Sequence, residues 1–269
     1  MDSPMNRREF AGVLGTSALL GAISGSVAGP AGAHAADAQG PPSGKRPSIA
    51  MLVHPDMILL DLAGPQTVFS LLMAEVHLVG KSLAPVATDV GIRVQPTVTF
   101  TDCPQNLDVL FVPGGLRGTI GLMDDPETLA FLADRGQRAR YATSVCTGSL
   151  ALAAAGLLRG HRATSHWYVR HLLPIMGAVE ASGRVVEDRG RITGGGVTAG
   201  IDFGLYLAAK LRGEDYARRI QLVIEYDPAP PFASGSPERA DPAAVEDVRQ
   251  RRAPLIKAAE AAARRAAAR

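Results

Sequence analysis

Tyr141-Ala-Thr-Ser-Val-Cys-Thr-Gly-Ser-Leu-Ala-Leu-Ala-Ala-Ala155 is the stretch that decides the fold. Tyr141 to Val145 has strand length and composition, and Thr147 to Ala155 reads as a helix, with almost no loop between them. The same alternation extends outward in both directions. Ser48 to His54 is an apolar run of strand length, and a helix follows near Pro65, whose fixed φ suits a first helical turn. Val68, Phe69, Leu71 and Leu72 give that helix a buried face. Glu75 to Val79, Gln95 to Phe100 and Asp108 to Val112 read as further strands, the last ending at Pro113-Gly114-Gly115. Asp125-Pro126-Glu127 starts a helix to about Ala139: a capping Asp, a Pro at the first position, then an acid. Arg184 to Asp188 and Arg191 to Thr193 make a hairpin around Arg189-Gly190. Gly194-Gly195-Gly196 opens a helix from Val197 to Leu211, closed by Gly213, and another runs from Glu214 to about Tyr226. Short, fully apolar strands alternating with helices predict an α/β fold, a mostly parallel sheet covered by helices on both faces, in one domain over 47–237.

The 269 residues carry 28 Lys and Arg against 26 Asp and Glu, a formal net charge of +2. That balance argues against a general nucleic-acid binder. Two cysteines exclude a disulfide-dense scaffold and a four-cysteine zinc site. Among the histidines, His54, His77, His161 and His171 show no metal-ligand spacing, so no metal is expected.

Both ends have a different texture. Asn6-Arg-Arg-Glu-Phe10 sets two arginines before a charge-free run rich in Ala, Gly, Leu, Val and Ser, and Ala33-His34-Ala35 follows as a small-x-small cleavage pattern. Residues 1–35 therefore resemble a twin-arginine leader, which implies the twin-arginine translocase as a transient partner and a periplasmic or secreted mature protein. The alternative is a membrane anchor, which this weakly hydrophobic run suits poorly, so no stable anchor is expected. Residues 36–46 read as a Gly/Pro/Ser-bearing linker. From Arg249 onward there are seven basic residues and one acid, Glu260. With no aromatics there, 238–269 reads as a basic, Ala/Arg-rich, solvated helix that frays at its end, without a nucleic-acid role.

The chemistry gathers where strands end. Cys146, at a strand-to-helix junction, has the setting of a nucleophile elbow, and a helix N-terminus favours its thiolate. The other reading is a buried structural cysteine. Gly114 and Gly115 end a neighbouring strand and expose amides that can face a developing anion, or they form a plain turn. Asp61, flanked by Leu60 and Leu62, is either a general acid–base beside the thiol or a helix cap. His166 lies twenty residues past Cys146 and can return to the same edge or simply pack. Cys103 reads as incidental. Gly194 to Gly200 fails the nucleotide fingerprints and reads as close backbone packing.

Val112-Pro-Gly-Gly115, Ser144-Val-Cys-Thr-Gly148 and Thr164-Ser-His-Trp167 together resemble the ThiJ/PfpI superfamily, relatives of class I glutamine amidotransferases. Asp61-Leu-Ala-Gly-Pro65, Gly194-Gly-Gly-Val-Thr-Ala-Gly-Ile-Asp202 and Ile224-Glu-Tyr-Asp-Pro-Ala-Pro-Pro-Phe232 are similar to its isonitrile hydratase branch. The resemblance implies a flavodoxin-like sandwich, a homodimer, a small-molecule substrate and no cofactor. It implies Cys146 as nucleophile, Asp61 where many members carry Glu, and Thr147 as the threonine after the nucleophile. It also implies the Gly115 and Thr147 amides as oxyanion donors, with Gly114 and His166 beside the substrate. The reaction implied is hydration of an isonitrile to an N-substituted formamide. A hydrolase- or glyoxalase-type activity of the wider superfamily, and a periplasmic thiol sensor or ligand binder, are the alternatives.

Overall fold

The computed structural model describes residues 45–269; the leader and nearly all of the linker lie outside them. Seven strands form one sheet: β1 (Ser48–Leu52), β2 (Glu75–Gly80), β3 (Val98–Thr99), β4 (Val109–Val112), β5 (Tyr141–Ser144), β6 (Val185–Asp188) and β7 (Arg191–Gly194). Their order across the sheet is β6-β7-β5-β4-β1-β2-β3. All neighbours are parallel except the β6–β7 pair. Every residue of β1, β4 and β5 is buried, as expected of strands covered on both faces, and β4 accordingly appears in the sequence as an unbroken apolar run. The β6–β7 turn carries Arg189 and Gly190 at φ 49° and 79°, the left-handed pair that a tight hairpin needs.

The helices are α1 (Leu59–Leu71), α2 (Leu116–Met123), α3 (Pro126–Arg138), α4 (Gly148–Ala154), α5 (Ala199–Arg212), α6 (Glu214–Val223) and α7 (Pro242–Ala267), with a 3-10 helix over Arg170–Met176. On one face of the sheet, Phe69, Phe111 and Phe203 pack edge-on or tilted, with ring centroids 5.4 to 6.4 Å apart. All three are fully buried. Truncating any one of them to Ala is expected to cost about 3–5 kcal/mol.

Three features depart from the sequence reading. The first helix starts at Leu59, so Asp61 stands inside its first turn and Pro65 inside the helix. Gly200 of α5 lies against the Pro65 ring, where an added Cβ would be 3.2 Å from Pro65 Cδ. Gln95 to Phe100 holds only one two-residue strand, Val98–Thr99. The C-terminal helix is not a solvated appendage: Ala259, Ala262 and Ala263 are fully buried in the same core as Leu150 and Leu173. Its small side chains let it lie close against α2 and the 3-10 helix. Asp241 caps its start by accepting the Ala243 N–H at 2.7 Å, and Arg265 pairs with Asp124 at 2.6 Å near its end. Most of its charged residues lie on the outer face, so a count of charge alone makes the segment look unattached.

The strand order places a switch point between β1 and β4, where the chain leaves in opposite directions and opens a crevice beyond the strand ends. Val112 pairs with Ser144, so β4 and β5 end level, and Asp61, Gly114 and Cys146 meet there.

Candidate active site

Cys146 follows β5 directly and adopts φ 55°, a left-handed conformation that a non-glycine residue holds only under constraint. The constraint is visible. The Cys146 N–H donates to the carbonyls of Gly195 (2.7 Å) and Gly194 (3.2 Å), and its own carbonyl accepts the Ser165 hydroxyl at 3.0 Å and the His166 N–H at 3.3 Å. The triple-glycine segment is thus close backbone packing, with its carbonyls clamping the elbow. Both Cys146 and Cys103 are free thiols.

Asp61 is fully buried beside Cys146. Its Oδ2 accepts the Gly114 N–H at 2.9 Å, and its Oδ1 has no hydrogen-bond partner. A Cβ added to Gly114 would lie 2.6 Å from Thr147 N and 2.8 Å from both Asp61 Oδ2 and Cys146 Cβ. Only glycine therefore lets these three groups converge. Burial raises the Asp61 carboxyl to about 7, against the Gly114 N–H and the Cys146 thiol, which both favour the carboxylate. Burial and then the Asp61 charge push the Cys146 thiol up, while the Thr147 and Gly115 amides pull it down. The helix-terminus contribution expected from sequence is present but is outweighed by desolvation. The two groups consequently compete for a proton, and the thiolate is favoured when Asp61 holds it.

Thr147 is buried, and its hydroxyl accepts the Gly115 N–H at 2.9 Å and lies 2.8 Å from the hydroxyl of buried Thr119. The Gly115 amide is thereby engaged by Thr147 as well as facing the sulfur. Thr119 and Ser165 were not singled out from sequence; each is an ordinary polar residue whose partner lies 28 or 19 positions away. His54 is fully buried too, with Nε2 3.3 Å from the Pro113 carbonyl and Nδ1 2.9 Å from the Pro55 carbonyl, so it ties the glycine turn to the segment after β1.

His166 is brought to the same edge, but through its backbone. Its ring packs on Tyr168 with centroids 3.9 Å apart, and its Nδ1 has no partner. Burial, then the positive charge of Arg252, lower its pKa to about 4, so the ring is neutral at ordinary pH. Among the described residues no group of three or more His, Cys, Asp or Glu is placed to hold a metal ion, and no helix is long and apolar enough to cross a membrane.

Against known proteins, a model of the DJ-1/PfpI family matches residues 47–210. A protein of Pseudomonas putida named isonitrile hydratase is 52% identical over 221 residues, covering 82% of this chain and 96% of that protein. The crystal structure of a ThiJ/PfpI family protein from Pseudomonas syringae superposes with a TM-score of 0.80 at 52% identity, covering 81% of this chain and 91% of that one. Drosophila melanogaster DJ-1beta shares the fold at 18% identity and a TM-score of 0.63, over 68% of this chain and all of that one.

Proposed function

The chain belongs to the DJ-1/PfpI family, and within it we propose that this protein hydrates isonitriles to N-substituted formamides. What carries this reading is the pairing of a strained cysteine with a buried acid that titrates near neutrality, in a chain half identical to an isonitrile hydratase.

The carbon of R–N≡C becomes electrophilic as it is protonated. Cys146 thiolate forms the C–S bond while the Asp61 carboxyl gives its proton to the same carbon, leaving a thioimidate, R–N=CH–S. The Asp61 carboxylate then takes a proton from water as the oxygen bonds to that carbon. Asp61 gives that proton to the nitrogen of the tetrahedral adduct and takes up the hydroxyl proton as the adduct collapses, expelling the thiolate and releasing R–NH–CHO. The sum is one isonitrile plus one water. Asp61 ends as it began, so a single carboxyl serves as acid and then base. A pKa of about 7 keeps both forms of that carboxyl within reach at neutral pH. The partnerless Oδ1 is the oxygen free to make these transfers, because Oδ2 is held by Gly114. The Thr147 amide faces the Cys146 sulfur and favours its thiolate, and the Thr147–Thr119 hydroxyl pair holds Thr147 in place.

The test is turnover of cyclohexyl isocyanide by purified protein, with formamide as the product. Wild type forms it and Cys146→Ala does not; no formamide from wild type, or an undiminished rate in Cys146→Ala, rejects the reading.

Three further expectations belong to the same proposal. Arg7-Arg8 and the charge-free run after them support export of the folded protein by the twin-arginine route. Replacing both arginines with lysine should then hold a tagged protein in the cytoplasm. The family resemblance supports a homodimer, which sedimentation at working concentration tests directly. His166 is a neighbour of the substrate, and a neutral one.

A further inference from the structure

The glycine turn that serves the reacting pair has two sides. Gly114 donates its N–H to Asp61 Oδ2, and Gly115 donates its N–H to the Thr147 hydroxyl, both at 2.9 Å. The carbonyls of the same two peptide units are held by the segment after β1. The Gly114 carbonyl accepts the Ile58 N–H at 3.0 Å, and the Pro113 carbonyl lies 3.3 Å from His54 Nε2. In a trans peptide the C=O and the N–H point in opposite directions, so holding one aims the other. Both amides are thus gripped from behind. For the amide that reaches Asp61, the grip is a side chain, His54.

The His54 ring is buried and has two carbonyls to serve. Its Nδ1 is 2.9 Å from the Pro55 carbonyl. Among the described hydrogen bonds neither carbonyl has another donor. Helix α2 wedges the ring in place, since a Cβ on Gly118 would lie 2.6 Å from Nδ1. Burial lowers the pKa of His54, against the two carbonyls and the charge of Asp56. The ring is therefore neutral at ordinary pH and has one N–H to give. Pro55 is exposed and Pro113 is buried. A bond left unmade costs more at the buried acceptor, so the proton belongs on Nε2.

We propose that His54 is a positioning residue for the reaction: by donating its Nε2–H to the Pro113 carbonyl, it holds the Pro113–Gly114 peptide so that the Gly114 N–H steadies the Asp61 carboxylate. The proposal rests on the pairing of Asp61 with Cys146 in the hydration reading and adds the group that adjusts it. A donor on the carbonyl also polarises the peptide, which strengthens the hydrogen bond made by the N–H at its other end. That bond favours the Asp61 carboxylate against burial. Without the His54 donor, the Asp61 carboxyl holds its proton to higher pH. Cys146 and Asp89 are the other ionisable groups that act on Asp61, and replacing His54 leaves both in place.

The experiment compares wild type with His54→Phe, which keeps a ring but has no donor, and His54→Gln, whose amide can donate to the same carbonyl. Two profiles are followed from pH 5 to 9 on each purified protein. One is kcat and KM for cyclohexyl isocyanide; the other is the rate of Cys146 alkylation by iodoacetamide, read by mass spectrometry of its peptide. In His54→Phe the Asp61 inflection should move up by about half a pH unit in both profiles. Its kcat should fall about fivefold, with KM within about twofold of wild type. His54→Gln should return both most of the way. Imidazole 15N NMR of wild type should show His54 as the Nε2–H tautomer, a result that requires neither variant to fold. An unmoved inflection in His54→Phe, a His54→Gln shifted as far as His54→Phe, or an Nδ1–H tautomer in wild type overturns the proposal, while turnover by wild type keeps the hydration reading. No turnover by wild type removes the hydration reading alone, because the alkylation profile and the tautomer decide the hold of His54 on Asp61 without a substrate.

Discussion

Replacing Asp61 with Asn should destroy activity and yet make the protein more stable, increasingly so as pH rises. Asp61 is fully buried and its carboxyl is raised from the usual 3.8 to about 7 by desolvation. The folded chain holds this proton more tightly than the unfolded chain, so folding takes up a proton between the two values. Stability from this group is complete below about 3.8 and is lost as pH rises through about 7. At 1.36 kcal/mol for each pH unit, the loss is about 4 kcal/mol by pH 8. Asn has nearly the same shape, and its side-chain oxygen can still accept the Gly114 N–H, but it carries no charge to desolvate. Urea unfolding of wild type and Asp61→Asn should be followed from pH 4 to pH 8. The gap in unfolding free energy should widen by about 4 kcal/mol in favour of the variant, and the difference in Tm by roughly 10 °C. A gap that stays flat across this range, or one that widens in favour of wild type, refutes the assignment of Asp61 as a buried acid raised by desolvation.

Gly114→Ala should fold but lose about a hundredfold in kcat/KM, because the new methyl displaces the carboxyl by a sizeable fraction of an ångström from the thiol. Stretching the hydrogen bond from the residue-114 N–H to Asp61 also moves the Asp61 ionisation in the pH–rate profile to higher pH; an unchanged rate and profile would count against the convergence at this glycine. Thr119→Val removes the hydroxyl 2.8 Å from Thr147, with an expected cost of about 1–2 kcal/mol in urea and a several-fold fall in kcat. Equal stability and rate would show that the pair holds nothing in place. Ala262→Glu buries a carboxylate where α7 meets the core and should cost upwards of about 3 kcal/mol, whereas Ala261→Glu on the exposed side should change stability by less than about 0.5 kcal/mol. Thermal melts of the two variants decide this, and similar Tm values would mean that α7 is not docked in solution.

The sheet could be read from sequence because strands buried on both faces are mostly apolar, as Ile49–Leu52 and β4 are. The elbow could be read because a strand runs into a helix at Cys146 with nothing between. Asp61 and Gly114 could be placed at the same edge because both follow strands of that sheet. Other features were written in less visible terms. The first helix includes Pro65, a residue that by itself suggests a boundary. Helix α2 contains Gly118 and Gly121, which weaken any periodic signal. The docking stripe of α7 is made of alanines, which bury little area each and so barely mark a buried face. The balance of forces on Cys146 was least legible. A helix N-terminus is visible in sequence, but the extent of burial and the position of a carboxylate emerge only from the packed fold.

The burial of Ala259, Ala262 and Ala263 also bears on how the protein is made. These residues complete the core that α2 and α4 share. During synthesis, at roughly 5–20 residues per second, the sheet and most helices can form while this apolar face is still bare. The face is covered only once α7 has emerged and docked. A product that stops short of α7 therefore has an uncovered core, visible to proteases and chaperones. Docking of α7 separates molecules that carry it from those that lack it before either is put to use.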